Sequence, residues 1–247
     1  MINKKSWVFI AAVVAMFTAA TAGYAAGGKF SVKADELEYN LRTGEGTAKG
    51  NVVLEQDNGR ATASYATFNS KTKSGTLVGN VIADQEDAHI ECQRFIISYE
   101  NSMSAVGNAS LRKGGRTVSA DRIDYNKERE YAETIGSWAR LSDTDGSVLK
   151  AEKLDYDMRS GTANATGGVV ITSEARKLDA SADRAIYKTD NSGYIELIGN
   201  ARAVQDGNSV SGDSLKLTNT KYAVADGNVK IYYIPEEKTS QSGNKQA

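Results

Sequence analysis

Chemistry in a protein chain needs groups that titrate, ligate or attack, and this chain offers few of them. His89 is the one histidine and Cys92 the one cysteine among 247 residues, so neither a histidine-rich nor a cysteine-rich metal site can be assembled, nor an intramolecular disulfide. His89 opens a strand beside Ile90 and reads as a surface residue, while Cys92 takes an apolar position. Asp143-Thr144-Asp145-Gly146 begins like a calcium loop, but the distal glutamate is missing and the stretch falls where the chain must turn. The acidic run Asp84-Gln85-Glu86-Asp87 occupies an equivalent place and reads as a solvated turn. Paired carboxylates would suit glycan cleavage, yet nothing singles out a pair among the many acids, and there is no phosphate-binding loop. No catalytic residue, metal or cofactor is therefore expected.

The acids that recur do so with a period, and the period belongs to the fold. Ala34-Asp35-Glu36-Leu37-Glu38-Tyr39 returns as Ala120 to Tyr125, Ala151 to Tyr156 and Ala182 to Tyr187, with looser copies at Ala63 to Phe68, Cys92 to Ile97 and Gly212 to Leu217. The last residues of these copies, Tyr39, Phe68, Ile97, Tyr125, Tyr156, Tyr187 and Leu217, are separated by 29, 29, 28, 31, 31 and 30 positions. A glycine follows each after 10 to 12 residues: Gly50, Gly79, Gly107, Gly136, Gly167, Gly199 and Gly227. A fixed period of this length means stacked units, none of which can bury its apolar face alone.

Within a unit the alternation has period two, and no window sustains a helical pattern, so the fold class is all-β. In the glycine half Gly46, Ala48, Gly50, Val52 and Leu54 share one parity against Thr47, Lys49 and Asn51. The opening half changes parity: Val32 and Ala34 lie on one, Leu37 and Tyr39 on the other. Such a switch needs a bulge or corner, placed at Asp35, Ser64, Gln93, Asp121, Glu152, Asp183 and Asp213. These side chains are expected to bond local backbone amides at the bend rather than to do catalysis. Turns flanking strands of about eight residues suit an antiparallel meander bent into two facing sheets. A parallel β-helix is the rival.

Small residues crowd the inward columns, such as Gly46, Gly75, Ala132 and Ala163, so the interior is either pinched tightly or left open as an apolar groove suited to lipid. The tyrosines carry two readings, as core anchors or as groove walls. A net charge of −1 gives no basic field for nucleic acid. Lys4 and Lys5 precede an apolar run from Trp7 to Ala20 and small residues ending near Ala25, the order of a cleaved signal peptide over 1–25. The repeats then form one elongated domain over 26–234, and 235–247 is a polar tail beginning at Pro235, the single proline.

The Ala-Asp-x-apolar-x-Tyr step and the Gly-Asn-apolar step, as in Gly50-Asn51-Val52, Gly79-Asn80-Val81 and Gly227-Asn228-Val229, resemble the LptA/OstA-like lipopolysaccharide-transport proteins. The fourth and fifth copies depart, reading Gly136-Ser137-Trp138 and Gly167-Gly168-Val169. The resemblance implies a V-shaped β-jelly roll that holds acyl chains between its sheets in the periplasm, without enzymatic activity. It also implies fold-sharing partners at the inner and outer membranes, and the exposed end strands suit head-to-tail association. The expected lipid-binding groove comprises Leu37, Tyr39, Val52, Leu54, Phe68, Leu77, Val81, Phe95, Ile97, Met103, Leu111, Ile123, Tyr125, Trp138, Leu154, Tyr156, Val169, Ile171, Tyr187, Leu197, Leu215, Val229 and Ile231. A β-helical structural or adhesive envelope protein, and a membrane-anchored LptC-like relative, are the alternatives.

Overall fold

The computed structural model describes residues 30–234 apart from 57–58, 73, 86–87, 99–101, 114, 127, 158, 176, 189–193 and 219–221. The expected signal peptide, the tail with Pro235 and the tips at Asp57-Asn58 and Glu86-Asp87 lie outside the described residues. The strands are β1 (Phe30–Lys33), β2 (Glu36–Tyr39), β3 (Glu45–Gln56), β4 (Gly59–Asn69), β5 (Ser74–Gln85), β6 (Ala88–Ile97), β7 (Ser102–Lys113), β8 (Arg116–Asn126) and β9 (Tyr131–Ser142). They continue as β10 (Val148–Ala151), β11 (Lys153–Asp157), β12 (Thr162–Ser173), β13 (Leu178–Lys188), β14 (Ile195–Gln205), β15 (Asn208–Thr218), β16 (Tyr222–Asp226) and β17 (Lys230–Tyr232). All 17 belong to one hydrogen-bonded sheet, and no helix occurs among the described residues.

Every pairing is antiparallel and joins strands that are near neighbours in the chain, which rules out a parallel β-helix. β1 and β2 both pair with β3, β10 and β11 both lie between β9 and β12, and β16 and β17 both pair with β15. Each of these pairs is one strand interrupted at its bend. Asn and Asp set several hairpins. Asn40 Oδ1 accepts the amides of Arg42 and Thr43, Asn69 Oδ1 those of Lys71 and Thr72, and Asp157 Oδ1 those of Arg159 and Ser160. An Asx turn directly after the anchor residue thus reverses the chain.

The bend is a bulge, and its extra residue lies on the glycine strand. Between the pairs Lys49–Tyr65 and Val52–Ala63, two residues, Gly50 and Asn51, face one, Ser64. Both have left-handed φ, 71° and 47°, and the same pair of conformations recurs at Gly79-Asn80, Gly107-Asn108, Gly199-Asn200 and Gly227-Asn228. At Gly50 a side chain is excluded twice over, because its Cβ would also stand 2.3 Å from Asp35 Oδ2. At Asp35, Asp183 and Asp213 the corner carboxylate bonds the asparagine of the facing bulge, where the sequence reading expected a backbone amide; Asp121 does accept an amide, that of Ser137. Asn51 Nδ2 donates to Asp35 at 2.9 Å, Asn200 to Asp183 at 3.0 Å and Asn228 to Asp213 at 3.1 Å. The left-handed asparagine places its amide back over the opposite strand, where the corner acid is within reach.

Bulges on successive strands form a line, and the sheet folds along it. The expected pair of facing sheets is accordingly one continuous sheet doubled over into a jelly roll. Burial requires this: Leu77, Leu197 and Leu215 are no more than 2% exposed, which one bare sheet face with no helix over it could not achieve. Complete burial of each such leucine contributes about 1.5–3 kcal/mol. Two separate apolar clusters result, one from Ala48 to Tyr125 and one from Ala151 to Leu215. Between them, Thr134 takes an inward position on β9, donating to Leu154 O at 3.2 Å and accepting from Leu154 N at 2.8 Å.

Candidate functional site

Opposed residues in an antiparallel ladder share a face, so the register alone reconstructs the interior. Above the fold line Val32, Leu54, Ala61, Ala83, Ile90, Leu111, Val118, Leu141, Leu149, Ile171, Ala180, Ala203, Val210 and Ile231 succeed one another strand by strand. Below it runs a row in which large side chains stand opposite small ones except at Ile97–Met103–Tyr125 and Tyr187–Ile195: Tyr39, Gly46, Phe68, Gly75, Ile97, Met103, Tyr125, Ala132, Tyr156, Ala163, Tyr187 and Ile195. The alternation has a steric cause. The Phe68 ring lies over Gly46, where a Cβ would come within 2.2 Å of it, and stacks on Tyr39 with centroids 6.0 Å apart.

Most of the expected groove residues lie on this inward face. Val52, Leu54, Leu77, Val81, Phe95, Ile97, Met103, Leu111, Ile123, Tyr125, Val169, Leu197 and Leu215 are buried. Phe68, Leu154, Tyr156, Ile171 and Tyr187 are half-buried. Leu37 and Ile231 face inward, opposite Ala48 and Val210, yet are 53% and 74% exposed because they stand on the two end strands; Tyr39 on β2 and Val229, just before β17, are exposed as well. The tyrosines differ in their surroundings: Tyr125 is sealed in the first cluster, whereas Tyr39 is exposed and its hydroxyl lies 2.8 Å from Ser70 Oγ.

Trp138 is displaced from the interior. In the fourth unit three residues, Gly136, Ser137 and Trp138, stand opposite Asp121, one more than elsewhere. That extra residue turns Trp138 outward and puts Ala139 into the inward column opposite Ala120. Outside, Trp138 Nε1 donates to Asp121 Oδ1 at 2.8 Å and the Ser137 amide to Asp121 Oδ2 at 3.2 Å. The 31-residue spacing from Tyr125 to Tyr156 was the available sign of an insertion, but it did not locate one. Also missed were Leu149, Leu178 and Val210, which pack against the second cluster and lie on the parity already established for their neighbours.

The residues that invited chemical readings have structural partners. His89 is not merely superficial: Nδ1 lies 2.6 Å from Asp84 Oδ1 and Nε2 2.8 Å from Glu91 Oε1 on the outer face. Those hydrogen bonds, Glu91 first and Asp84 second, hold its pKa above 6.5. Asp143 accepts from Arg116 Nε at 3.0 Å and from the Thr144 amide, and the loop is the turn between β9 and β10. Desolvation, opposed by two backbone hydrogen bonds, pushes the Cys92 thiol up to about 11. Among the described residues no group of three or more His, Cys, Asp and Glu side chains is arranged to hold a metal ion. What the arrangement can do is enclose apolar matter between two leaves of one sheet.

The family described as "LptA/(LptD N-terminal domain) LPS transport protein" matches residues 60–162 and 170–223, more than half of the chain. The chain belongs to this family. The matched residues run from β4 to β15 and take in most of both apolar clusters, so the LptA/LptD-type assignment applies to the folded sheet itself. Among curated protein sequences none matches. Among solved structures, the chain is similar to LptH of Pseudomonas aeruginosa, described as the LptA-homologous periplasmic component of the conserved lipopolysaccharide transport device. The identity is 19%, with 40% of this chain and 76% of that one covered, at a TM-score of 0.36.

Proposed function

We propose that this protein is a non-enzymatic periplasmic carrier of lipopolysaccharide, shielding the acyl chains inside the doubled sheet and passing them between fold-sharing partners at the inner and outer membranes. The observation that carries the reading is an apolar inward face that continues, uncovered, onto both end strands: Leu37 at one end and Ile231 at the other. Shielding matters because each methylene left in water costs about 0.8 kcal/mol, so a chain of about 12 carbons costs roughly 9 kcal/mol. β1 and β2 pair only with β3, and β16 and β17 only with β15, among the described residues. A partner's strand added at either edge extends the ladder and the apolar face together.

Photo-crosslinking residues test the reading directly. Placed at half-buried inward positions, Phe68, Ile171 or Tyr187, they are expected to capture lipopolysaccharide, and at outward Lys49 or Asn80 they are not. Equal labelling from both faces would remove the groove as the binding site. Proline at Lys230 or Tyr232, whichever directs its amide outward, is expected to abolish cross-linking to partners while leaving lipid capture intact.

A further inference from the structure

Six of the seven marker glycines have φ between 66° and 85°, and Gly136 alone departs, at 140°. Five of the seven are followed by asparagine; the two that are not, Gly136-Ser137 on β9 and Gly167-Gly168 on β12, flank the interrupted strand β10–β11. Toward that strand the β9 ladder opens. Pairs run from Tyr131 to Glu133 with β11 and from Ala139 to Ser142 with β10, so the five residues from Thr134 to Trp138 stand against the three from Glu152 to Leu154 without a ladder pair. An ordinary bulge removes two residues against one, as at Gly50 and Asn51 opposite Ser64. One hydroxyl spans the opening, since Thr134 Oγ1 accepts from Leu154 N and donates to Leu154 O. On the far side Glu152 lies over Gly167 as Asp35 lies over Gly50, a Cβ there coming within 2.4 Å of Glu152 Oε2, but Gly168 has no side chain to bond it. The interior divides at the same place. Ala139 is 2% exposed yet belongs to neither apolar cluster; the first ends at Tyr125 with Ala132 against it, and the second begins at Ala151.

We propose that β9 and the interrupted strand β10–β11 form a hinge about which the two halves of the sheet turn as separate bodies. Resistance to bending in a doubled sheet comes from continuous ladders and from side chains shared across the interior, and both are interrupted at this one junction. A hinge is ordinarily a few residues that absorb backbone rotation while the elements on either side keep their packing. Gly136 and Gly168 supply that freedom here, and the Thr134 hydroxyl sets the rest position. Turning at the hinge alters the angle between the first and last strands of the sheet, so that one chain can meet partners that are not in line. That use rests on the carrier reading; the hinge itself does not.

Paired spin labels on the lipid-free mature chain, in a Cys92→Ala background, test the hinge by electron–electron double resonance. Three pairs of exposed positions are compared: Lys49 with Arg112 inside the first half, Lys150 with Lys216 inside the second, and Arg112 with Arg202 across the seam. The first two span four strand spacings and the third six, roughly 19 and 29 Å across the sheet. The distance distribution of the third pair is expected to be about twice as wide as those of the other two. Thr134→Val is expected to widen it further. Gly168→Asn, which suits the left-handed φ of 59° and offers Glu152 an amide, is expected to narrow it, and neither substitution to change the pairs within a half. Equal widths for the three pairs with the seam unsubstituted overturn the hinge and leave the carrier reading untouched. A wide third distribution that neither substitution alters overturns the assignment of the hinge to these residues.

Discussion

The two halves of the sheet use the same hairpin and the same bulge, but fill them differently. The cluster from Ala48 to Tyr125 closes over large side chains, including Leu77, Phe95, Ile97, Met103 and Tyr125. In the cluster from Ala151 to Leu215, seven of the ten buried residues are alanine, and apart from Val169, Leu197 and Leu215 its larger side chains, Leu149, Leu154, Ile171, Leu178, Ile195 and Val210, stand at the margin only partly buried. On the carrier reading proposed above, a filled interior supplies stability, whereas small buried residues ringed by accessible aliphatic ones leave apolar surface for a guest.

The largest effect expected from this contrast is at Phe95. Phe95→Ala empties the filled half and is expected to cost about 3–5 kcal/mol in urea unfolding. It is also expected to speed labelling of Cys92, whose thiol is otherwise buried and scarcely ionised near neutral pH. A loss below about 1 kcal/mol would mean that the first half is not closed.

In the second half the informative change runs the other way. Ala201→Leu, at a position 1% exposed, is expected to cost about 1–3 kcal/mol by overpacking. A neutral or stabilising result would show that the leaves there stand apart and that the alanines do not touch the opposite side.

The seam between the halves predicts a smaller change. Thr134→Val keeps the shape of the side chain but removes both bonds to Leu154, at roughly 1 kcal/mol. Hydrogen exchange is expected to accelerate first in β9 and β11, leaving the two clusters protected. Uniform acceleration would argue that the two cores open as one.

The smallest effect is on the outer surface of the first half, which alone carries a histidine. Because Glu91 and Asp84 raise the folded-state pKa of His89, its stabilisation is complete below the ordinary histidine value of about 6.5 and is lost as pH rises through the raised value. His89→Gln is therefore expected to destabilise more at about pH 5.5 than at about pH 8.5, by less than about 1 kcal/mol given the exposure of the three groups. The opposite pH trend would show that the carboxylates, not the imidazole, dominate the cluster.

Much of this architecture was legible because a β-strand repeats every two residues and any exception stands out. The parity switch at Asp35, Ser64 and Asp183 announced the bend, and the marker glycines lie on it. Assignment of the extra residue to the glycine strand was not legible, since parity counts side chains and not φ. Trp138 was misplaced for a related reason: composition made it look apolar, while one inserted residue at the bulge decided its face. The separation into two clusters depended on Thr134, whose inward position was visible but whose two bonds across to Leu154 were not. Gln85 and Lys113 had a sequence signal, a polar residue six positions after every recurring glycine but the last, as also at Gln56, Ser142, Ser173 and Gln205, but their burial came only from the doubled sheet.

Pairing restricted to chain neighbours has a further consequence, for the order in which the molecule assembles. Sheets in which the first and last strands must meet fold slowly, because long loops close before any contact rewards them. Here no strand waits for a distant one: β4 needs only β3 and β5, and β14 only β13 and β15. Growth can proceed one hairpin at a time from whichever end is available first, each new hairpin templated by the exposed edge before it. The same edge that would admit a partner's strand in the finished protein is, during folding, the place where the chain adds its own.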